Sequence, residues 1–316
     1  MAIRCCMRKT CFFSLSLMTL LHILFISGSA AEGTLSDALK WGKLLNAIDR
    51  HNPKLVHESV YPDVNLFKAA EHLIKSGKKN PAIDLSPLQD GEEAVFIELL
   101  KAGLSLNKVV TRRALLPVSA HYRPAFVPLL LHHRADPNII TIGTAGDAVS
   151  PLYYAAEYNA PQKIVKCLID AGAQINWKYR KDGPNALACA SYNLIAPNVE
   201  TLLEARSNLN TYNRGRTPLF WATQGFIKEP GKRDEFMSVA RLLISAGCNP
   251  DFKASYTVWK AYDRKSAKER VRDAGMPEMA EYMAGIKDDV LFECELKGIF
   301  VEPVLAGFLR EFHRQS

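Results

Sequence analysis

An internal repeat runs through most of this 316-residue chain. Five segments share a short turn of mostly small residues that ends in Asn or Asp, at residues 102–107, 134–138, 171–176, 205–210 and 246–251. Their closing residues lie 31, 38, 34 and 41 positions apart. Each segment follows an apolar run with helical spacing, so its glycine or small residue indicates a helix C-cap. A unit of this length cannot bury its apolar side alone, and the repeat therefore predicts a stack of similar units.

A second motif opens three of the units, at residues 150–156, 185–191 and 217–223. These segments begin with Ser150, Asn185 and Thr217, and Ser, Asn and Thr commonly cap helix N-termini. Pro151 and Pro218 follow directly, at the position where a helix accepts proline most easily. The small residues farther along each segment predict a short first helix that packs closely on its neighbours.

Together the two motifs, at a mean spacing of 36 residues, close to the ankyrin period of about 33, resemble the ankyrin repeat. The resemblance implies an all-α ankyrin-repeat solenoid of helix–turn–helix units with hairpin loops, and with helical caps at both ends. About six units fill residues 77–285, of which the first, second and last are degenerate. The remaining regions are an N-terminal helical cap region at 31–76 and a C-terminal helical tail at 286–316. The unit boundaries are 77–107, 108–138, 147–176, 182–210, 214–251 and 254–285.

The first thirty residues have the pattern of a secretory signal peptide. They contain three basic residues and no acidic one, followed by an apolar run at 11–26 and then small residues. We expect cleavage after residue 30 or 31 and a periplasmic or secreted protein. An uncleaved membrane anchor is the alternative, and it is the only case in which we expect membrane contact. Removing the three basic residues lowers the formal net charge from +7 to +4, which does not indicate nucleic-acid binding.

The sequence shows no motif for catalysis, a metal or a cofactor. His57 begins a zinc-helix pattern but lacks the second histidine, and no dinucleotide, phosphate-loop or nucleophile-elbow motif occurs. We therefore expect a non-enzymatic protein without a cofactor. Cys167 and Cys189 occupy positions where the repeat favours Leu, which predicts small buried apolar residues. A disulfide bond between them stays open as an alternative in an oxidising compartment.

The resemblance also implies where a partner binds, because ankyrin stacks use their hairpin tips and the exposed side of each first helix as a concave binding surface. The hairpin residues at these positions are Trp177, Lys178, Tyr179, Arg180, Lys181, Tyr212, Arg214, Phe252, Lys253 and Tyr256, and the first helices add Tyr158, Tyr192 and Gln224. This set is aromatic and basic, which favours a protein partner with an acidic patch. Tyr154 and Trp221 are expected in the core, and the charged run at 260–272 on the solvated face of a capping helix.

The sequence thus predicts an exported protein that binds an unidentified protein partner and performs no chemistry. A periplasmic inhibitor or immunity protein that neutralises a toxic enzyme is one alternative. A redox or enzyme-accessory protein of the cell envelope, using its cysteines or scattered histidines, is the other.

Overall fold

The computed structural model describes residues 35–62, 64–76, 83–143, 147–178, 183–209, 216–252 and 265–296. The predicted signal peptide and the end of the C-terminal tail lie outside these ranges. The described residues fall into two compact regions. The N-terminal region lies within Met1–Pro81 and Pro87–Ser105, and the C-terminal region within Ala82–Ser86 and Leu106–Ser316. Apart from one short hairpin of two strands, the regular structure of the described residues is helical.

Two helix pairs form the described part of the N-terminal region. Its helices are α1 (Leu35–Asp49), α2 (Pro53–Ser59), α3 (Leu66–Ile74) and α4 (Glu92–Lys101). Helix α1 packs on α2 and α3, and α4 packs on α2 and α3, so the two pairs lie side by side. Helix α4 is the second helix expected for the first unit, and its partner α3 comes from the stretch that the sequence assigns to the cap region.

The described part of the C-terminal region stacks five helix pairs in two rows. The first helices are α5 (Leu115–Tyr122), α7 (Pro151–Glu157), α9 (Ala186–Tyr192), α11 (Pro218–Lys228) and α13 (Ala267–Asp273). The second helices are α6 (Phe126–His132), α8 (Gln162–Asp170), α10 (Ala196–Glu204), α12 (Arg233–Ser245) and α14 (Pro277–Leu296). Each helix packs on its partner and on the equivalent helix of the next unit. This arrangement confirms the predicted all-α solenoid.

The predicted N-caps start the first helices. The side chains of Ser150, Asn185 and Thr217 each accept a hydrogen bond from the backbone N–H three residues later, at 3.0–3.2 Å. The second unit lacks such a cap, because Ala114 precedes α5. The degenerate opening motif of the second unit therefore corresponds to a first helix without a side-chain cap.

The second helices end in a left-handed residue, as the repeat predicts. Gly103, Gly172 and Gly247 have φ angles of 98°, 87° and 102°, which glycine adopts without a Cβ clash. Arg134 and Arg206 occupy the same position in the second and fourth units, with φ angles of 65° and 58°. These two arginines therefore hold a conformation that costs a non-glycine residue about 1–2 kcal/mol.

The closing asparagines that define the repeat connect each unit to the next. Asn107 donates to the Arg134 carbonyl and accepts from the Asp136 N–H, at 3.2 and 2.7 Å. Asn138 makes the same two bonds one unit later, to Gly172 and Gln174, at 2.9 and 2.7 Å. Asn176 continues the series by accepting from the Asn208 N–H at 2.7 Å. The period of the sequence is therefore also the period of a ladder of side-chain hydrogen bonds.

The two insertions in the repeat are built differently. The first lengthens a hairpin into strands β1 (Thr141–Ile142) and β2 (Ala148–Val149), in which Thr141 pairs with Val149. The second lengthens both helices of the fifth unit, and it is closed by Phe226 stacked on Phe236 with ring centroids 4.5 Å apart. Gly225 in α11 lies so close to α9 that a Cβ there would be 1.8 Å from the Tyr192 carbonyl oxygen.

One part of the charged run at 260–272 differs from the expectation of a solvated face. Arg270 is only 3% exposed, and its guanidinium lies 4.2 Å from the centre of the Phe220 ring. The cation packs on an aromatic face of the neighbouring helix, which offsets part of its desolvation. The prediction was wrong for this residue because arginine can bury its planar group where an aromatic ring covers it.

Candidate functional site

The first helices of the C-terminal region present one row of side chains. We call the residues of α5, α7, α9 and α11 on this side, with the residue after α7, the first-helix face. It consists of Val118, His121, Tyr122, Tyr154, Glu157, Tyr158, Tyr192, Trp221, Gln224 and Lys228. Apart from Lys228, which lies eleven residues after Thr217, these residues come four, seven or eight positions after the N-cap of their helix, which is the spacing of one helix face. Apart from Lys228, which is exposed, these residues are buried or half-buried.

An aromatic cluster covers the second and third units of this face. The His121 ring stacks on Tyr122 and on Tyr158, with centroid distances of 4.0 and 3.6 Å. Tyr154 lies 5.1 Å from His121 and 5.5 Å from Tyr158. Four rings from neighbouring helices thus form one partly exposed aromatic surface.

A second group of aromatic and basic residues covers the fourth and fifth units. Tyr192 and Trp221 meet edge to face at 6.2 Å. The Lys228 ammonium lies 5.7 Å from the Tyr192 ring centre, and the Arg216 guanidinium lies 5.6 Å from that of Trp221. Within the described residues, the indole N–H of Trp221 and the side-chain amide nitrogen of Gln224 are buried without a hydrogen-bond partner.

The predicted hairpin residues are described only in part. Trp177 is half-buried and packs edge to face on Tyr153 at 5.8 Å, which makes it a support of the hairpin base. Lys178 pairs with Asn185 in an isolated β-bridge, and Phe252 is half-buried after the closing Asp251. Seven predicted hairpin residues lie outside the described residues: Tyr179, Arg180, Lys181, Tyr212, Arg214, Lys253 and Tyr256.

The first-helix predictions fall into the two aromatic groups. Tyr158 contacts rings towards the second unit, and Tyr192 contacts a ring of the fifth unit. Gln224 lies one turn after Trp221 on the same face. Tyr154 is buried at 7% exposure, in agreement with its predicted core position, whereas Trp221 is half-buried at the surface.

Sequence reasoning missed His121, Tyr122 and Arg112. They belong to the second unit, whose opening motif is degenerate. Without a recognisable N-cap residue, their positions on the first helix could not be aligned with those of the other units. Counting seven and eight residues from Ala114, the position equivalent to Ser150, would have identified both rings.

The hairpin segments carry the positive charge of the protein. Between each closing Asn or Asp and the next helix cap, the sequence contains twelve lysines and arginines but only three aspartates. The segments are 108–113, 139–149, 177–184, 211–216 and 252–265. The five segments together carry a net charge of +9, which exceeds the net charge of +7 of the whole chain. In contrast, the first-helix face contains Glu157, and burial raises the pKa of its carboxyl group.

The cysteines whose side chains the structure describes have little nucleophilic character. Cys167, Cys189 and Cys248 are free thiols in the structure. Burial raises the pKa of Cys189 and of Cys248 to about 12, so almost no thiolate forms near neutral pH. Within the described residues, no group of three or more His, Cys, Asp or Glu side chains is placed to hold a metal ion.

None of the helices in the described ranges has the length and apolar character needed to cross a membrane.

Comparison with known proteins identifies the repeats. A family model described as ankyrin repeats, in three copies, matches residues 112–213 and 152–254. The solved structure of an ankyrin repeat domain from Acinetobacter baumannii AYE is similar to this chain, with a TM-score of 0.50 and 22% sequence identity. The match covers 62% of this chain and 92% of that domain. No curated protein matches this chain in sequence. Residues 112–254 therefore carry ankyrin repeats, and the C-terminal region is an ankyrin-repeat solenoid.

Proposed function

We propose that this protein is an exported, non-enzymatic binding protein whose partner is another protein, held on the first-helix face and the adjoining hairpins. Ankyrin repeats typically form scaffolds for protein–protein interaction. The observation that carries the proposal is the row of half-buried aromatic residues along the first-helix face. Aromatic side chains supply large contact areas at interfaces and dominate binding energies there.

The charge distribution supports a partner with an acidic patch. Four of the five hairpin segments are basic in sequence, the exception being 139–149, and a field of one sign at a binding surface attracts an oppositely charged partner and speeds the encounter. The aromatic residues then supply the short-range contacts. Export of the protein is supported by the signal-peptide pattern of residues 1–30, and mass spectrometry of the mature N-terminus tests it. An N-terminus at Met1 in the membrane fraction would contradict cleavage.

The test of the binding face is a comparison of matched variants. Partners captured from envelope and culture-medium extracts are identified by mass spectrometry, and their affinity is then measured by calorimetry. The Tyr158→Ala, Tyr192→Ala double variant should lose at least tenfold in affinity, because interface aromatics commonly contribute about 2 kcal/mol each. Tyr282→Ala is the control, since Tyr282 is a half-buried aromatic residue of α14 in the row of second helices. Equal affinity of the double variant and the control would refute the proposed face.

A further inference from the structure

A cavity of about 270 Å³ lies beside the aromatic cluster, between two hairpins and helices α5 and α7. Its wall is formed by aromatic, basic, hydroxyl-bearing and aliphatic side chains. The residues that matter for its chemistry are Arg112, Arg113, His121, Tyr122, Thr141 and Tyr154. The cavity is slightly smaller than the typical 300–1,000 Å³ site for a small molecule or cofactor, so its size suits one or two side chains of a larger ligand.

Arg112 is held at the edge of this cavity by its backbone. The turn at 110–113 is closed by two hydrogen bonds between Val110 and Arg113, at 2.8 and 2.9 Å. Its central residues, Thr111 and Arg112, have φ angles of 48° and 66°, although such two-residue turns favour Asn-Gly. The Arg112 carbonyl accepts hydrogen bonds from the Ile142 N–H and the Thr141 hydroxyl, at 2.7 and 2.5 Å. The next hairpin therefore fixes the turn while the Arg112 residue stays exposed.

The lining residues include cations and aromatic rings but no carboxylate. Asp147 is the one acidic residue of the neighbouring hairpin at 139–149, and it is not among the lining residues. Its backbone carbonyl accepts a hydrogen bond from the Gly143 N–H at 2.8 Å. The backbone of Arg112 is fixed at a cavity with aromatic walls, and its exposed guanidinium suits a planar anion, because arginine binds carboxylates through two parallel hydrogen bonds.

From this geometry we infer that the cavity binds the carboxylate of an Asp or Glu side chain in an extended segment of the protein partner. The inference rests on the proposed function and specifies the residue type that the second and third units recognise. The first-helix face continues over the fourth and fifth units. A segment that lies along the face therefore reaches the cavity at the α5 end, and the free-acid peptide below distinguishes an acidic side chain from a chain end there.

The test uses short peptide probes and needs no identified partner. The purified protein is titrated with acetyl-Gly-Phe-Glu-Gly-amide, with the equivalent Gln peptide, and with the Gln peptide carrying a free C-terminal carboxylate. Amide shifts of Arg112, Thr141 and Gly143 are followed by NMR. The Glu peptide should bind about tenfold more tightly than the neutral Gln peptide. Arg112→Gln should remove this difference. Lys108→Gln is the matched control, because it removes one exposed cation of the same hairpin segment away from the cavity, and it should change the affinity less than twofold.

Three outcomes would overturn the inference. Equal binding of the Glu and Gln amides would exclude carboxylate recognition, and an equal loss in Arg112→Gln and Lys108→Gln would show only general charge attraction. Tighter binding of the free-acid peptide than of the Glu amide would assign the cavity to a chain end. If the peptides give one of these three results while the Tyr158→Ala, Tyr192→Ala variant binds the partner more weakly, only the role of the cavity is refuted. Unchanged partner binding by that variant would instead refute the proposed function, whatever the peptides show.

Discussion

Replacing Gly225 by Ala should destabilise the protein, although the same change usually stabilises a helix. Gly225 lies inside α11, where alanine is favoured over glycine by about 1 kcal/mol. Its new Cβ, however, would lie 1.8 Å from the backbone carbonyl oxygen of Tyr192 on α9, and 2.9 Å from the carbonyl carbon. A backbone carbonyl cannot rotate away, so α11 must move by about 1 Å or more, which already forfeits a large part of the dispersion contacts across an interface.

The net effect can be worked out from these two opposing contributions. Overpacking a well-filled interface costs about 1–3 kcal/mol. The cost belongs at the upper end here, because the clash is with backbone and because Thr223 and Phe226 beside it are buried. After the gain in helix propensity is subtracted, the free energy of unfolding should fall by about 2 kcal/mol.

Equilibrium unfolding in urea, followed by far-ultraviolet circular dichroism, measures this change. The control is Gly285→Ala, since Gly285 is exposed inside α14 and a Cβ there has no atom within 4 Å. This variant should gain about 0.8–1 kcal/mol. If Gly225→Ala were neutral or stabilised the protein as much as the control, the close approach of α9 and α11 would be refuted.

Three further predictions concern the hydrogen-bond ladder, the helix ends and the thiols. Asn138→Ala removes both bonds to the third unit and should lower the free energy of unfolding by about 1–2 kcal/mol in urea titrations; a change below about 0.5 kcal/mol would contradict the ladder's contribution. Arg206→Gly relieves a left-handed φ angle and should stabilise by about 0.5–1 kcal/mol after the entropy of the unfolded glycine is deducted, whereas a loss of stability would show that the arginine side chain matters more. Because burial raises the pKa of Cys189 and Cys248, iodoacetamide at pH 8 should label them at an appreciable rate only after urea is added, and rapid labelling of the native protein would show that these sites open readily.

The parts of the fold that the sequence predicts are those that depend on local chemistry. Ser150, Asn185 and Thr217 cap helices because their side chains reach a backbone N–H three residues away, and Gly172 ends one because it adopts a left-handed φ angle. Such contacts lie within a few residues, so a spacing pattern is enough to find them. The pairing of α3 with α4 depends on contacts across a long connection, and no local signal indicates it.

The candidate site was predictable where the repeat is regular and hidden where it is not. Tyr158 and Tyr192 follow good opening motifs, so their positions on the first-helix face could be counted. His121 and Tyr122 follow Ala114, which offers no cap, and their exposure depends on packing against the next unit. For Arg270 the prediction failed in the other direction. The charged run predicted an exposed residue, whereas Arg270 is buried against an aromatic ring of another helix.

The asparagine ladder gives the stack a direction. Each asparagine completes the loop of the unit that follows it, as Asn138 does for the backbone of Gly172 and Gln174. Cutting repeats away from the amino-terminal side therefore strips bonds from the loop left at the new end. Trimming from the carboxyl-terminal side leaves only an asparagine amide exposed to water. Truncated variants that retain the amino-terminal repeats should therefore keep their loops more ordered than variants that retain the carboxyl-terminal repeats.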